Sequence, residues 1–260
     1  MKMINKQVNV LIGTPVYRDG AYVLDKFLSN QEQIQRQSPS CELVFATCES
    51  DYLTELENLV KQYQLRATVI HFEVIKPDYA KSRFWNIAGG REAIRRYLLS
   101  RPEFDGLLFL DADMTFDPTV VDIMVKELNG YDVVFSGYKA RVCGTALTGA
   151  GCLIMTRKIL QKIKFRCYEY KNGKGISEDN VLEVDLFRIG ARIKKGFFLA
   201  IDHYTRSNPL THIEPRKVRF LTRIRTSPFF RYCVIKTDML LRFNLSWKLF
   251  LIKSKLTGNR

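Results

Sequence analysis

The sequence predicts an α/β fold, a doubly wound sheet whose core is predominantly parallel. The prediction rests on the alternation of two hydrophobic patterns and on the length and composition of the chain. Short apolar runs rich in β-branched residues alternate with stretches in which apolar residues recur at helical spacing, and glycine and proline separate them. Such alternation is typical of a sheet covered by helices on both faces. With 260 residues, 46% of them apolar, the chain can bury the core that this fold requires.

The first half of the chain supplies three strand–helix units. Strands are expected at residues 8–12, 42–46 and 68–74, and helices at residues 22–35, 53–60 and 80–99. The third helix contains Gly89-Gly90, whose lack of side chains lets a neighbouring backbone approach closely.

The fourth unit begins with a wholly apolar strand at residues 107–110, of the kind buried inside parallel sheets. Asp117-Pro118 then combines a capping residue with proline at the first helical position, which predicts a helix to about Leu128. The later elements are less regular. They comprise a strand at 132–135, an apolar run at 152–155, a short helix at 158–163, a polar loop at 166–176, a helix capped by Ser177 that reaches Phe187, and a closing strand at 197–201.

Polar residues follow the ends of three predicted strands, at residues 14–17, 48–51 and 111–113. In doubly wound sheets, ligands bind beyond the carboxyl ends of the strands. We therefore expect these three segments to share one site.

Asp111 and Asp113 come directly after the apolar strand. Strand alternation would send two carboxylates at this spacing to the same side, where both can bind one hard divalent cation, Mn²⁺ or Mg²⁺. Such a cation would bridge the two phosphates of a nucleotide sugar and stabilise charge on the leaving diphosphate. The alternative is a pair of solvated acids in a turn, with Asp113 helping to cap the chain.

From residue 8 to residue 205, the order of these segments resembles the inverting, family-2-like glycosyltransferases of the GT-A fold. The segments that carry the resemblance are Val10-Leu11-Ile12-Gly13-Thr14-Pro15-Val16-Tyr17, Ser82-Arg83 with Asn86, Leu108-Phe109-Leu110-Asp111-Ala112-Asp113, Gly149-Ala150-Gly151-Cys152-Leu153-Ile154 and Ser177-Glu178-Asp179. The resemblance implies a GT-A-type mixed sheet and metal-dependent transfer of a sugar from a UDP- or GDP-sugar to an acceptor hydroxyl. That acceptor would be lipid-linked, a glycan or a protein. The residues expected to bind the donor are Thr14, Pro15, Tyr17, Glu49, Arg83, Asn86, Asp111 and Ala112.

The resemblance also implies catalytic roles. Asp179 would be the general base that removes the proton of the acceptor hydroxyl, with Glu178 as the alternate base. The competing interpretation is that both acids merely favour the amino terminus of a helix through its dipole. His203 stands where related enzymes often supply a further metal ligand. A lone histidine is otherwise often structural, and Asp202 is an alternative ligand.

The segment after the second strand departs from the family pattern. Related enzymes commonly have two aspartates there, one of which reads the base of the nucleotide, whereas this chain has Ala46-Thr47-Cys48-Glu49-Ser50-Asp51. We expect Glu49 to substitute. The identity of the nucleotide stays open.

Positive charge concentrates at the carboxyl end. Residues 216–260 contain twelve Lys or Arg and one acid, so they carry eleven of the fourteen net positive charges. We expect a catalytic domain at residues 1–215 and a basic, aromatic-rich extension at residues 216–260. Cations interleaved with aromatic rings favour an anionic membrane surface. Strict alternation at residues 241–249 is typical of a strand, but the apolar run that follows leads us to prefer helices.

Two other interpretations of the extension stay open. Its aromatic residues would cover the catalytic domain while its cations form a solvated outer face, or the two would together bind nucleic acid. No recognisable nucleic-acid-binding fold accompanies the extension, which disfavours the second.

The location of the protein is predicted from what the sequence lacks. The six cysteines form no CxxC pair, and no stretch approaches the roughly 18 uninterrupted apolar residues of a membrane-spanning helix. The first residues do not form a signal peptide. We expect a cytoplasmic protein with reduced thiols, soluble or peripheral at the cytoplasmic face of a membrane.

The strongest competing enzyme class is a haloacid-dehalogenase-like phosphatase, because residues 107–115 also fit an apolar strand followed by D-x-D-x-T. Asp111 would then be the nucleophile and Asp113 an acid or base. That motif usually ends the first strand of its domain, whereas three strand–helix units precede it here. A non-catalytic lipid- or nucleic-acid-binding protein is the third class, but it would not need Asp111, Asp113 and Asp179 together.

Overall fold

The computed structural model describes residues 8–140, 144–171, 173–205 and 211–240. The helices are α1 (Ala21–Gln37), α2 (Ser50–Gln62), α3 (Phe84–Ser100), α4 (Val120–Leu128), α5 (Arg157–Leu160), α6 (Glu178–Arg188), α7 (Phe220–Arg225) and α8 (residues 228–240), with a 3₁₀ turn at Arg18–Gly20. The strands are β1 (Val10–Pro15), β2 (Glu42–Thr47), β3 (Ala67–His71), β4 (Gly106–Leu110), β5 (Met114–Phe116), β6 (Val133–Ser136), β7 (Tyr138–Ala140), β8 (Gly144–Ala146), β9 (Cys152–Thr156), β10 (Tyr168–Glu169), β11 (Gly175–Ile176), β12 (Ile193–Gly196), β13 (Ile201–His203) and β14 (Thr211–Ile213).

Seven strands form the central sheet in the order β12-β6-β9-β4-β1-β2-β3. Neighbouring strands are parallel except at β9, which runs antiparallel to both β4 and β6. β14, β13 and β5 form a small antiparallel sheet, while β7–β8 and β10–β11 form two hairpins. The predicted mixed α/β sheet with a largely parallel core is confirmed.

Helices cover both faces of the central sheet and create two apolar layers. On one face α1, α2 and α4 bury Phe27, Leu56 and Met124 against the strands. On the other face α3, α5 and α6 pack around Ile94 and Phe109. Each such side chain contributes about 1.5–3 kcal/mol when it is fully buried. Apolar packing therefore stabilises both faces of the sheet. Polar residues lie at the edge formed by the carboxyl ends of its parallel strands.

The structure corrects the expected start of α4. The helix begins at Val120, because the carboxylate of Asp117 accepts hydrogen bonds from the amide and the hydroxyl of Thr119 and closes a turn before the helix. The prediction that Asp117 caps the helix and that Pro118 is its first residue is therefore wrong. Thr119 directly precedes the helix.

Two later elements also differ from expectation. The closing strand predicted at residues 197–201 is wrong, because β12 ends at Gly196 in the central sheet and β13 begins at Ile201 in the small sheet. The loop predicted at residues 166–176 contains the β10–β11 hairpin. The pairing of two strands depends on residues that are distant in the chain. A local sequence pattern therefore does not predict it.

The predicted start of α6 is confirmed, but the predicted capping hydrogen bond is not present. Ser177 directly precedes the helix, yet it makes no side-chain cap hydrogen bond to the backbone. Its hydroxyl oxygen instead accepts a hydrogen bond from the side-chain amide of Asn180, at 3.1 Å. The two residues tie together the first turn of the helix.

The carboxyl-terminal extension forms two helices, α7 and α8, as far as residue 240. The alternating segment at residues 241–249 lies outside the described residues. Within the described ranges, no helix combines the length and the apolar character needed to cross a bilayer.

Candidate functional site

The polar edge of the sheet is built around the end of β4. Thr14, at the end of β1, is fully buried and donates its hydroxyl hydrogen to the carbonyl oxygen of Leu110, at 2.7 Å. Thr14 thus fixes the strand end from which the acidic turn departs. This contact gives the residue a structural task beside the expected contact with a donor.

Asp111, Ala112 and Asp113 form a tight turn, closed by a hydrogen bond from the amide of Met114 to the carbonyl oxygen of Asp111 at 3.2 Å. Strand alternation therefore does not extend to them. The carboxylate of Asp111 faces Arg91, whereas the carboxylate of Asp113 faces His203. The two acids have side chains that are 28% and 23% exposed, so a ligand in solvent can reach both.

Arg91 of α3 is the buried cation of the site. Its guanidinium lies 2.7 Å from Asp111 Oδ1 and 3.5 Å from Glu178 Oε1, and it donates to the carbonyl oxygen of Ala150 at 3.2 Å. It also stacks over the ring of Phe109. Burial opposes the charge, but the neighbouring carboxylates outweigh it and raise the pKa of Arg91 above its ordinary value. Arg91 therefore joins the β4 turn to the start of α6.

Gly90 explains how α3 brings Arg91 so close. A Cβ at this position would lie 2.8 Å from the hydroxyl of Tyr17 and 3.0 Å from Cβ of Pro15. The hydroxyl of Tyr17 donates to the carbonyl oxygen of Asn86, at 2.7 Å, which fastens the loop after β1 to the same helix. Burial raises the pKa of Tyr17, so its hydroxyl stays neutral. The neighbours that approach Gly89 and Gly90 are side chains, whereas the sequence predicts a neighbouring backbone.

Glu178 and Asp179 form a second acidic turn, at the start of α6. Glu178 is buried, and Oδ1 of Asp179 is a buried atom with no hydrogen-bond partner among the described residues. Burial raises the pKa of Asp179 well above its ordinary value, the charge of Glu178 raises it further, and Arg91 opposes both. The surroundings of Asp179 therefore favour the protonated form of its carboxyl group.

His203 is buried at the end of β13, and its ring is oriented by the backbone. Nδ1 lies 2.7 Å from the carbonyl oxygen of Lys139, which can only accept, so Nδ1 carries a proton. In the neutral ring Nε2 is then the acceptor, and it lies 3.5 Å from Oδ2 of Asp113. Two such acceptors at this distance suit a cation between them, either a proton or a metal ion. Tyr138 packs edge-on against the imidazole.

The alternative ligand Asp202 is engaged elsewhere. Its carboxylate lies 2.6 Å from Nδ1 of His212, and this hydrogen bond raises the pKa of His212. Of the two neighbours, His203 is the one whose ring lies beside Asp113, at 3.5 Å.

The glycine-rich segment before β9 makes room for the site. A Cβ at Gly149 would lie 2.0 Å from the hydroxyl of Tyr138, and a Cβ at Gly151 would lie 3.0 Å from Oδ2 of Asp111. Side chains at these positions would displace the aromatic ring or the carboxylate. The segment is thus required by packing against the acidic turn.

The remaining expected donor residues lie further out. Arg83 is exposed and directly precedes α3, and Asn86 lies in the first turn of that helix. Glu49 accepts a hydrogen bond from the amide of Arg18, at 2.7 Å, beyond the end of β2. Within the described residues, no hydrogen bond or ion pair joins these three side chains to the acidic turns. Glu169 fixes the segment before α3 by accepting hydrogen bonds from the amides of residues 81 and 82.

Sequence reasoning missed Arg91 and Tyr138. Arg91 occupies a position between Ile87 and Ile94 on the apolar stripe of α3, and an arginine inside such a stripe is a signal that was available. Tyr138 carried no comparable signal, because its importance depends on the distant Gly149.

The donor set fits a hard or borderline divalent cation. Asp113 supplies carboxylate oxygen and His203 supplies imidazole nitrogen, ligands that suit Mn²⁺ and, through oxygen, Mg²⁺. In the part of the chain that the structure describes, no group of three or more His, Cys, Asp or Glu is arranged to hold a metal ion.

The mixed, largely parallel sheet matches the GT-A-type fold. Among solved structures, the mannosyltransferase PcManGT from Pyrobaculum calidifontis, in complex with GDP-Man and Mn²⁺, matches with a TM-score of 0.50 and 14% identity over 73% of this chain and 55% of that one. At that identity the match establishes the fold alone.

Two further structures match at lower TM-scores. S. aureus TarS residues 1–349, in complex with UDP-GlcNAc, gives 0.45 with 13% identity over 61% of this chain and 49% of that one. A197 from STIV gives 0.43 with 17% identity over 82% and 98% of the respective chains. The chain thus spans about half the length of PcManGT and of the TarS fragment. No protein-family profile and no curated protein sequence matches the chain.

Proposed function

We propose that the protein transfers a sugar from a UDP- or GDP-sugar to an acceptor hydroxyl, with Mn²⁺ or Mg²⁺ and with inversion at the anomeric carbon. One observation carries the proposal. The acidic turn after β4 and the acidic turn at the start of α6 meet at one buried guanidinium, Arg91. An exposed pair of carboxylates for a cation and a buried carboxyl group for a proton are thereby brought to one edge of the sheet.

The donor would lie along the ends of β1, β2 and β4 and the start of α3. In this arrangement the nucleotide contacts the loop after β1, the diphosphate lies near the exposed arginine before α3, and the acidic turn faces the phosphates. The residues assigned to the donor are Thr14, Pro15, Tyr17, Glu49, Arg83, Asn86, Asp111 and Ala112.

Asp111, Asp113 and His203 are the proposed ligands of the metal. When bound, the metal would neutralise the charge that develops on the leaving nucleoside diphosphate. Arg91 holds Asp111 in place and, as a fixed buried cation, adds positive potential at the same edge. The carbonyl of Lys139 keeps Nε2 of His203 available as the acceptor nitrogen.

Asp179 is the proposed general base. Its carboxylate takes the proton of the acceptor hydroxyl while the acceptor oxygen attacks the anomeric carbon and the bond from that carbon to the diphosphate oxygen breaks. Asp179 is favoured over Glu178, because Glu178 lies against Arg91 and the buried Oδ1 of Asp179 has no partner among the described residues. The raised pKa of Asp179 makes the rate rise with pH as the group ionises.

The phosphatase alternative finds less support. Three strand–helix units precede Asp111, whereas the phosphatase motif usually ends the first strand of its domain. A non-catalytic role gives no reason for a buried acid whose oxygen lacks a partner.

The proposal includes the division into a catalytic domain at residues 1–215 and an extension at residues 216–260 that binds an anionic membrane surface at the cytoplasmic face. Phe220, Leu221 and Phe229 are 74%, 67% and 66% exposed, among arginines. Rings at the interface and cations beside anionic headgroups would both favour such binding. A lipid-linked, glycan or protein acceptor is compatible with it, and nucleic acid is not proposed.

The test of the reaction is a panel of UDP- and GDP-sugars with Mn²⁺, assayed for hydrolysis or transfer. One donor should be turned over, and Asp113→Ala should abolish turnover, while Asp122→Ala, at an exposed side chain of α4, serves as the matched control. Turnover of p-nitrophenyl phosphate without binding of any nucleotide sugar would instead establish the phosphatase.

The membrane arm is tested separately with vesicles of anionic and of zwitterionic lipid. The combined substitution Phe220→Ser and Leu221→Ser should weaken binding to anionic vesicles and leave donor binding intact. Equal binding of wild type and variant would contradict the assignment of this surface.

A further inference from the structure

Helix α8 of the extension contacts the helix that carries the second acidic turn. Arg231 of α8 donates from Nε to Oε2 of Glu183 and from Nη2 to Oδ1 of Asn180, both at 2.7 Å. Both acceptors belong to α6. A planar guanidinium that bonds two side chains at once fixes orientation as well as distance.

The bond to Asn180 extends to the residue before α6. The side-chain amide of Asn180 donates to the hydroxyl oxygen of Ser177, at 3.1 Å. Glu178 and Asp179 are the two residues between these tied positions. Hydrogen bonds therefore hold the residues on both sides of the acidic pair, Ser177 and Asn180. Arg231 supplies one of these bonds, the one to Asn180.

The contact is buried and charged, which makes it a rigid one. The side chain of Glu183 is 3% exposed, and Lys195 of β12, 8% exposed, also binds it. Lys195 donates in addition to the carbonyl oxygen of Thr226, at 2.8 Å, in the segment that joins α7 to α8. Burial lowers the pKa of Lys195, but the carboxylate of Glu183 opposes the shift. Both cations thus bridge the extension to the same buried acid.

Apolar side chains also pack α8 against the protein, next to the ion pairs of Glu183. The ring of Tyr232 lies 4.6 Å from the ring of Phe187 between centroids, and Ile235 is buried. The inward face of α8 thus packs against α6, while Phe229 and Phe230 stay exposed on it.

We propose that Arg231 is a positioning residue for sugar transfer. It holds the first turn of α6 in the conformation in which Asp179 can take the proton of the acceptor. The inference rests on the proposed function and deepens it, because α8 becomes part of the catalytic unit although it lies in the extension. A misplacement of the base by about 1 Å is enough to lower a rate by about 100-fold.

The kinetic test compares Arg231→Gln with Arg188→Gln in the full chain. Arg188 is an exposed arginine at the carboxyl end of the same α6, so its substitution removes the same charge from the same neighbourhood. We expect Arg231→Gln to lower kcat by about 10- to 100-fold while KM for the donor stays unchanged, and Arg188→Gln to match wild type. Arg231→Lys should recover part of kcat, because an ammonium group keeps the charge opposite Glu183 without the planar fork.

Hydrogen–deuterium exchange of residues 177–184 supplies a readout that does not need activity. Arg231→Gln should speed exchange there, whereas Arg188→Gln should not. The inference is overturned if exchange in this segment is unchanged, or if kcat of Arg231→Gln equals that of Arg188→Gln while only its thermal stability falls. If wild type transfers no sugar at all, the proposed function fails, and the exchange result alone then decides whether Arg231 positions the turn.

Discussion

The two acidic turns at the edge of the sheet hold their charges in different ways. Asp111 and Asp113 are partly exposed to solvent, and Arg91 lies 2.7 Å from the first of them. Glu178 and the Oδ1 atom of Asp179 are buried, and the same arginine lies at a longer distance, 3.5 Å from Glu178. Identical chemical groups therefore meet one cation in two environments.

The difference teaches that environment, more than residue type, decides what a carboxyl group can do. A solvated carboxylate beside a cation keeps its charge and suits a metal ion. A carboxyl group whose pKa is raised by burial and by a neighbouring acid, as that of Asp179 is, suits proton transfer. The predictions below remove one member of this arrangement at a time.

The largest expected effect is that of Asp179→Asn on transfer. An amide cannot take the acceptor proton, so the rate should fall by about 10²- to 10⁴-fold, while donor binding measured by calorimetry persists. Asp185→Asn, on the same helix and paired with Arg166, is the matched control and should stay near wild type. Transfer by Asp179→Asn at the wild-type rate would remove Asp179 from the mechanism.

Arg91→Gln should cost the most in folding stability. It leaves Asp111 and Glu178 without their buried cation, a change that typically lowers the free energy of unfolding by about 3–5 kcal/mol. Arg96→Gln on the same helix removes an arginine that is 71% exposed and should cost less than about 1 kcal/mol. Urea unfolding at neutral pH measures both. Equal losses would mean that Arg91 does not join the two turns energetically.

A third prediction concerns the pH dependence of stability. Since the folded protein raises the pKa of Asp179, this group stabilises the fold below the ordinary carboxyl pKa, and the contribution is lost as pH rises through the raised pKa. Asp179→Asn removes that loss. Its melting temperature relative to wild type should increase with pH, by an amount equivalent to about 1.4 kcal/mol for each unit of pKa shift. A constant difference across pH would contradict the buried-proton assignment.

The smallest expected effect is a displacement of the pH–rate profile by Glu178→Gln. The charge of Glu178 raises the pKa of Asp179, so its removal lowers that pKa and moves the acidic limb of kcat to lower pH. The profile is measured with saturating donor, and Asp185→Asn again serves as the control. A limb that stays in place would show that the charge of Glu178 does not raise the pKa of Asp179.

The sheet and its ligand edge could be predicted because their signals are local. The wholly apolar run at residues 107–110 identifies a strand buried on both faces, and Asp111 follows it directly. Arg91 could not be assigned in the same way. Its position on an apolar stripe was visible, but its partners lie about 20 and 90 residues away in the chain and meet it only when the sheet forms.

The pairing of late strands was unpredictable for a related reason. The run at residues 197–201 looks like one apolar strand, whereas the chain leaves the central sheet at Gly196 and enters the small sheet at Ile201. Hydrophobic periodicity reports which face of a segment is buried. It does not report which neighbour supplies the hydrogen bonds.

The antiparallel strand β9 has a consequence for how such a protein can diversify. Because β9 runs against β6, the chain leaves the central sheet after Ser136 and re-enters it at Cys152 on the same edge. A connection of this kind needs no crossover, so its length can change without redirecting any strand. Insertions in this connection that spare Tyr138, Lys139 and the glycine-rich segment at residues 149–151 would add surface beside the acidic turn after β4 and leave the proposed nucleotide side of the sheet untouched. The topology thus separates the connection between β6 and β9, whose length can vary, from the ends of β1 and β2 on the other side of β4.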